Sequence, residues 1–263
     1  MNIPNIMTAQ EAVKLIKSGD RVLIQGGAAT PQSLVKAMVA RAPELRGVEI
    51  VHLHTEGECG YTAIELKDSF YTNAFFISGN IRNMIGLTAD YIPIFLSDIP
   101  SLFRQGHMQL DVVLVNVSPP DKHGFCSLGV SVDIVISAIE KGKKVIAQIN
   151  SKMPRTFGDG IVHLRNFDAC VLIEEELHEM KITAPTEAEE KIGKNIAEII
   201  EDGSTLQMGI GGIPNAVLNY LKNHKDLGIH TEMFSEGIVD LVYKGVINGS
   251  NKKLNRYKIV SGF

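Results

Sequence analysis

The sequence predicts an α/β protein of two related open domains, each a mostly parallel sheet flanked by helices, and three observations predict it. Apolar runs of strand length, Asp111–Val117, Lys143–Asn150 and Ala169–Glu175, alternate with helical segments such as SVDIVISAIEKG, the pattern of strands buried on both faces of a parallel sheet. One order of elements, helix, strand, glycine-rich turn and helix, occurs near both ends of the chain. The 263 residues, 44% hydrophobic and 21% charged, have the balance of a globular protein with one large or two medium domains.

The first copy opens at Thr8, an N-cap whose partner Glu11 completes a capping box. Ala12, Val13, Leu15 and Ile16 fall at helical spacing, and the helix is expected to run to Gly19. A strand at Arg21–Ile24 follows, then a turn with Gly26, Gly27 and Pro31, then SLVKAMVARA with Leu34, Val35 and Met38 on one helical face. In the second copy Ile192, Ile196, Ile199 and Ile200 make the apolar stripe and Gly203 closes the helix. Thr205–Met208 is then the strand, Gly209, Gly211, Gly212 and Pro214 the turn, and AVLNYL the start of the next helix. SGDRVLIQGGAATP and DGSTLQMGIGGIP align with a one-residue gap, and each copy is followed by His-Thr-Glu, at 54–56 and at 230–232.

The charged stretch Glu174–Lys191, which contains Pro185, reads as a linker, so the expected domains are 1–185 and 186–263. RYKIVSGF at the end reads as a strand entering a turn, which gives the expectation that the second domain is incomplete in this chain.

A net charge of -4 provides no basic footprint for a nucleic acid or an anionic membrane, so small molecules or proteins are the expected partners. No uninterrupted apolar run approaches the ~20 residues that span a bilayer, and the opening residues lack a secretory pattern. Cys59, Cys126 and Cys170, odd in number and widely spaced, suit reduced thiols, and the expected location is the cytoplasm.

The segment QMGIGGIPNAVL carries the strongest chemical signal. A strand runs into a glycine turn and a helix start, where the backbone approaches a ligand closely and free N–H groups favour an anion or a developing oxyanion. The third glycine of a dinucleotide fingerprint would fall at Pro214, so that motif is absent. Glu232 follows about one helix later, and ligands of open α/β sheets bind at the carboxyl ends of strands, so turn and carboxylate point to one rim. A tight strand-to-helix connection beside a solvated acid is the plainer reading of the same residues.

Through SGDRVL, SPPDKHGFCSLGVSVD, EDGSTLQMGIGGIPNAVL and LGIHTEM, the sequence resembles the acetyl-CoA hydrolase/transferase family, and within it the 4-hydroxybutyrate CoA-transferases. The resemblance implies a class I CoA-transferase with two related α/β domains and no permanently bound cofactor, CoA and acyl-CoA being substrates. It implies that Glu232 forms a glutamyl-CoA thioester and that Gly209, Ile210, Gly211, Gly212 and Ile213 form the CoA-binding loop. The implied partners are acyl-CoA and a short carboxylic acid, acetate, butyrate or 4-hydroxybutyrate, and the implied assembly is a homo-oligomer. No metal is required, because exchanging one carboxylate for another conserves the thioester energy. A hydrolase acting through the same Glu232, or a fragment that only binds CoA, are the alternatives.

Glu56 is the internal rival of Glu232, set in a poorer glycine context. Alternation would put His52, His54, Glu56 and Glu58 on one strand face beside Cys59, a pattern open to a metal reading, although histidines bordering a polar cleft are the duller explanation. His123 and Cys126 lie in a loop that Pro119, Pro120 and Gly124 would fix at a sheet rim, an arrangement ill-suited to thiol catalysis and read as a wall of an acyl pocket.

Overall fold

The computed structural model describes residues 3, 5–179, 184–209 and 211–263. The chain divides into two compact units, Met1–Glu179 and Met180–Phe263.

In the first unit, helix α1 (Ala9–Ala12) leads to strand β1 (Arg21–Ile24), helix α2 (Gln32–Val39) and strands β2 (Val48–His52), β3 (Phe70–Ala74) and β4 (Ala89–Tyr91). Helix α3 (Ile99–Arg104) precedes β5 (Val112–Val117) and β6 (Phe125–Ser127); helix α4 (Val135–Lys141) precedes β7 (Lys144–Asn150), β8 (Ile161–His163) and β9 (Ala169–Ile173). Seven strands form one sheet in the order β4-β3-β2-β1-β5-β7-β9, every neighbouring pair parallel. The short β6 and β8 pair antiparallel outside it. The apolar runs explain the layout: all six residues of β5 and the last six of β7 are buried. On one face Ile24, Ile50, Leu114 and Ile146 pack with Ala12, Leu34 and Met38 of the helices, each large aliphatic side chain contributing roughly 1.5–3 kcal/mol through burial.

The Thr8–Glu11 capping box forms, but the helix behind it is short. After Ala12 it tightens into a 3-10 turn over Val13–Leu15, and Ile16 is extended. Arg41 supplies the reason. Its guanidinium donates to the carbonyls of Val13 and Ile16, satisfying the helix end four residues before Gly19 and seating Ile16 in the core.

The second unit comprises helix α5 (Glu187–Ile199), strand β10 (Thr205–Leu206), helix α6 (Gly212–Tyr220), strand β11 (Gly228–Ile229) and helix α7 (Glu236–Tyr243). β10 and β11 are parallel neighbours, and Ala197, Met208, Leu218, Leu227, Ile229, Ile238 and Leu241 form the core around them. α5 begins inside the stretch read as a linker, because Thr186 and Glu189 build a second capping box; Met180–Thr183 of that stretch lie outside the described residues. Three further expectations are corrected. The strand expected at Thr205–Met208 pairs only through Leu206. α6 starts at Gly212 rather than Ala216, since Pro214 fits the first helical turn, where no N–H is needed. RYKIVSGF contributes one parallel bridge, His230 with Val260, in place of a strand. No described helix is long and apolar enough to cross a membrane.

Candidate functional site

The carboxyl ends of β10 and β11 carry the glycine turn and Glu232. Beyond Leu206 and Ile229 the ladder gives way to a side-chain rung. The Met208 N–H donates to Thr231 Oγ1 at 2.7 Å, and the same hydroxyl donates to the Met208 carbonyl at 2.8 Å. Thr231 is buried, so one hydroxyl satisfies both polar groups of the residue that opens the turn. On the far side of the turn Ser235 Oγ donates to Asn215 Oδ1 of α6 at 2.7 Å. Glu232 therefore lies between two ties that hold its neighbours to the residues flanking Gly209–Ile213.

Its backbone is held as well. The Glu232 carbonyl accepts from Gly262 N and Phe263 N, each at 3.1 Å, and from Ser261 Oγ at 3.2 Å. The carboxylate itself is exposed and makes no hydrogen bond or ion pair with the described residues. Shelter from water, which an activated ester needs, is not provided by the described residues around it.

The turn is open. An added Cβ at Gly209 or Gly211 would meet no described atom within 4 Å. Gly211 has φ 122°, a conformation L side chains rarely adopt. At Gly212 a Cβ would come within 2.2 Å of Glu189 Oε1, so the first residue of α6 has to be glycine while Glu189 holds its capping position. Ile213 is exposed in the first turn of α6, and Ile210 lies outside the described residues.

The first copy of the motif is built differently. Gly27 bridges Thr55 and donates to the His54 carbonyl at 3.0 Å. A Cβ on Gly26 would lie 2.4 Å from that carbonyl oxygen, and one on Gly27 would lie 3.2 Å from Ser131 Oγ. The protein fills this turn with its own atoms. Glu56 is tied down: its N–H donates to Thr30 Oγ1 at 3.2 Å, its carbonyl accepts from Gln32 Nε2 at 2.7 Å, and its carboxylate lies 3.6 Å from His178 Nε2.

The strand ends of the first sheet are also polar. Gln25, Asn116, Gln148 and Asn150 are buried there. Gln25 Nε2 donates to the Leu128 and Ser131 carbonyls and its oxygen accepts from Asn116 N, while Glu175 accepts from Gln148 Nε2 at 2.9 Å and Ser33 Oγ at 3.3 Å.

The four-residue face proposed for a metal does not form, because β2 ends at His52. His52 is buried, and desolvation lowers its pKa to about 4, while among the described residues no group of three His, Cys, Asp or Glu is arranged to hold a metal. Cys126 is buried in β6, and desolvation pushes its thiol up to about 12, the opposite of an activated nucleophile. His123 lends its backbone carbonyl to His163 Nε2 at 3.1 Å.

Sequence reasoning missed the threonine clasp, the Asn215–Ser235 tie and Lys252. The repeated His-Thr-Glu was a signal for the first of these. Nothing in the polar string NGSNKKL announces that Lys252 is buried, 5% exposed, with its ammonium donating to the carbonyls of Ile229 at 2.7 Å and Lys258 at 2.6 Å. Burial lowers the pKa of that ammonium from the ordinary lysine value.

Residues 4–184 match the model of the acetyl-CoA hydrolase/transferase N-terminal domain. The chain is 47% identical over 257 residues to a succinyl-CoA:acetate/propanoyl-CoA:succinate CoA transferase of Fasciola hepatica, covering 96% of this chain and 53% of that protein. It is 43% identical to a 4-hydroxybutyrate coenzyme A transferase of Clostridium kluyveri, covering 98% of this chain and 60% of that one. Among solved structures, RipA from Yersinia pestis superimposes with a TM-score of 0.93 at 30% identity, over 98% of this chain and 63% of its own. A 4-hydroxybutyrate CoA-transferase from Porphyromonas gingivalis gives 0.87 at 35% identity, over 98% of this chain and 62% of its own. The chain thus spans a little over half to about three-fifths of the length of these relatives. With its parallel sheet and a family match that runs through its first unit and covers more than half of its length, the chain belongs to the acetyl-CoA hydrolase/transferase family.

Proposed function

We propose that this chain carries the nucleophile and CoA loop of a CoA-transferase, which moves CoA between an acyl-CoA and a short-chain carboxylate through a thioester on Glu232. The observation that carries the reading is a glycine turn, unfilled by described residues beside Gly209 and Gly211, tied through Met208 and Thr231 to a carboxylate with no partner among the described residues. The relatives named as CoA transferases support it.

In the first step a Glu232 carboxylate oxygen attacks the thioester carbonyl, and CoA leaves as the thiolate, giving an acyl-glutamyl anhydride. The thiolate then attacks the glutamyl carbonyl and expels the original acid as its carboxylate, leaving glutamyl-CoA. An acceptor carboxylate attacks that thioester, and the same two steps in reverse return the free Glu232 and a new acyl-CoA. Each step exchanges one acyl bond for another, so no net proton, ATP or metal is required. Backbone N–H groups of Gly212 and Ile213, in the first turn of α6, would stabilise the oxyanion, a contribution of roughly 3 kcal/mol per donor in comparable sites.

CoA is a substrate in this reading and not a resident cofactor. The acceptors are acetate, butyrate or 4-hydroxybutyrate, the working form is a homo-oligomer, and three free thiols favour the cytoplasm. Exposure of Glu232 favours a second reading, acyl-CoA hydrolysis, in which water takes the place of the acceptor acid.

Incubation with acyl-CoA followed by intact-mass and peptide analysis tests both. A CoA adduct on the peptide containing Glu232, removed by hydroxylamine and discharged by an added carboxylate to a new acyl-CoA, is the expected result. Discharge at the same rate without an acid identifies the hydrolase; no adduct on any peptide defeats both readings.

A further inference from the structure

A buried ammonium without a carboxylate partner is an uncommon arrangement, because desolvating a charge is costly unless its donors are satisfied. Among the described residues Lys252 is such a group. Its stem lies over β11: a Cβ on Gly228 would come within 2.5 Å of Lys252 Cγ. The ammonium reaches past that glycine to the Ile229 carbonyl, the last of β11, and to the Lys258 carbonyl.

From Lys258 onward the chain runs beside the residues that follow β11. Val260 N donates to the Ile229 carbonyl at 3.3 Å, and Thr231 N donates to the Val260 carbonyl at 2.9 Å. Gly262 N, Phe263 N and Ser261 Oγ then converge on the Glu232 carbonyl, and Phe234 N donates to the Phe263 carbonyl at 2.9 Å. These contacts form a clasp along both sides of Glu232, and Lys252 pins its first rung.

We propose that Lys252 is a positioning residue for Glu232: its ammonium joins the end of β11 to the Lys258–Phe263 segment and so fixes the backbone from which the carboxylate projects. The proposal rests on the reading of Glu232 as the nucleophile. Its physical content is preorganisation. A carboxylate on a fixed backbone attacks from a narrow range of positions, and displacement by about 1 Å costs on the order of a hundredfold in rate. A methionine at 252 would keep the stem over Gly228 while leaving two carbonyls without their charged donor, whereas an arginine would keep the charge and two donors.

The experiment combines amide hydrogen exchange with single-turnover formation of the CoA adduct, on the unaltered chain, K252M, K252R and G262P. G262P removes one donor to the Glu232 carbonyl without touching Lys252, and so serves if K252M does not fold. In K252M, exchange at Thr231, Phe234, Gly262 and Phe263 is expected to accelerate about tenfold or more. Adduct formation should slow by about 10- to 100-fold, with the half-saturating acyl-CoA concentration changed less than about twofold. K252R should recover part of both losses, and G262P should slow the adduct step in the same way.

Faster exchange with an unchanged adduct rate makes Lys252 a purely structural strut and overturns the proposal, as does unchanged exchange in a folded K252M. An adduct that survives E232Q, or none on the unaltered chain, removes the nucleophile assignment and the proposal with it.

Discussion

The two copies of the strand-turn-helix motif differ in what their own atoms leave vacant. Around Gly26 and Gly27 the turn is filled by the His54 carbonyl and Ser131, and Glu56 is tied to Thr30, Gln32 and His178. Around Gly209 and Gly211 no described atom approaches, and the Glu232 carboxylate has no partner among the described residues while its backbone is clasped. Register separates them further. Thr55 stands opposite Gly27, eight residues past Gly19, whereas Thr231 is bound to Met208, five past Gly203. The first strand pair therefore runs on into the turn and closes it. In the second, a hydroxyl takes the next rung and no described atom fills the space beside Gly209 and Gly211. A repeated motif gives similar elements, and the proposed nucleophile lies in the copy whose donors and acceptors are less consumed internally.

The largest effect that sharpens this contrast is catalytic. Glu232→Gln is expected to lower adduct formation and turnover by at least about a thousandfold, since a neutral amide cannot act as the nucleophile. Glu56→Gln should cost less than about tenfold in the same mass and rate measurements, and the reverse ranking would break the comparison.

Next in size is the filled turn itself. Gly26→Ala drives a methyl against the His54 backbone carbonyl, 2.4 Å from the ideal Cβ position, and should cost more than about 3 kcal/mol in denaturant unfolding. Gly212→Ala meets the Glu189 carboxylate as its nearest neighbour and should cost about 1 kcal/mol, the value of the capping box it displaces. Equal losses at the two sites would contradict the distinction between a backbone wall and a movable side chain.

Acid should separate the units as well. His52 of the first unit has its pKa lowered from 6.5 to about 4 by burial. Between those values the unfolded chain binds a proton that the folded unit refuses, so stability is full above pH 6.5 and falls as pH drops towards 4. The loss is on the order of 3 kcal/mol. Circular dichroism of acid unfolding should show it, and His52→Phe should flatten that limb of the curve.

The smallest expected effect lies at the paired threonines. Thr231→Val deletes both hydrogen bonds to Met208 and should cost about 2 kcal/mol in unfolding experiments while slowing adduct formation. Thr55→Val loses a bond to Tyr61 at 3.0 Å and a long one to Asn80 at 3.4 Å, and should cost about 1 kcal/mol. A larger loss at Thr55 would show that the first rim depends on its hydroxyl more than the second does.

Much of the fold was legible because periodicity and capping are local. β1, β5, β7 and β9 start within one residue of their apolar runs, and Thr8 caps its helix as its spacing to Glu11 implies. The capping box at Thr186 and Glu189 carried the same signal, yet the density of charge around it read as linker. Helix and strand ends were less legible where a distant group decides them: Arg41 stops the first helix, and Thr231 replaces the ladder at Met208.

By itself the sequence determined the α/β class, the repeated order of elements, and the glycine turn with Glu232 as the pair to consider. These are properties of short segments, set by side-chain period and backbone preference. Tertiary structure alone decided which turn is filled and which has no described atom beside its glycines, that Glu56 is held while the Glu232 carboxylate has no partner among the described residues, and that a surface-type lysine is a buried pin beside β11. The reason is that hydrogen bonding between residues remote in sequence consumes some polar groups and leaves others vacant, and no local pattern records which.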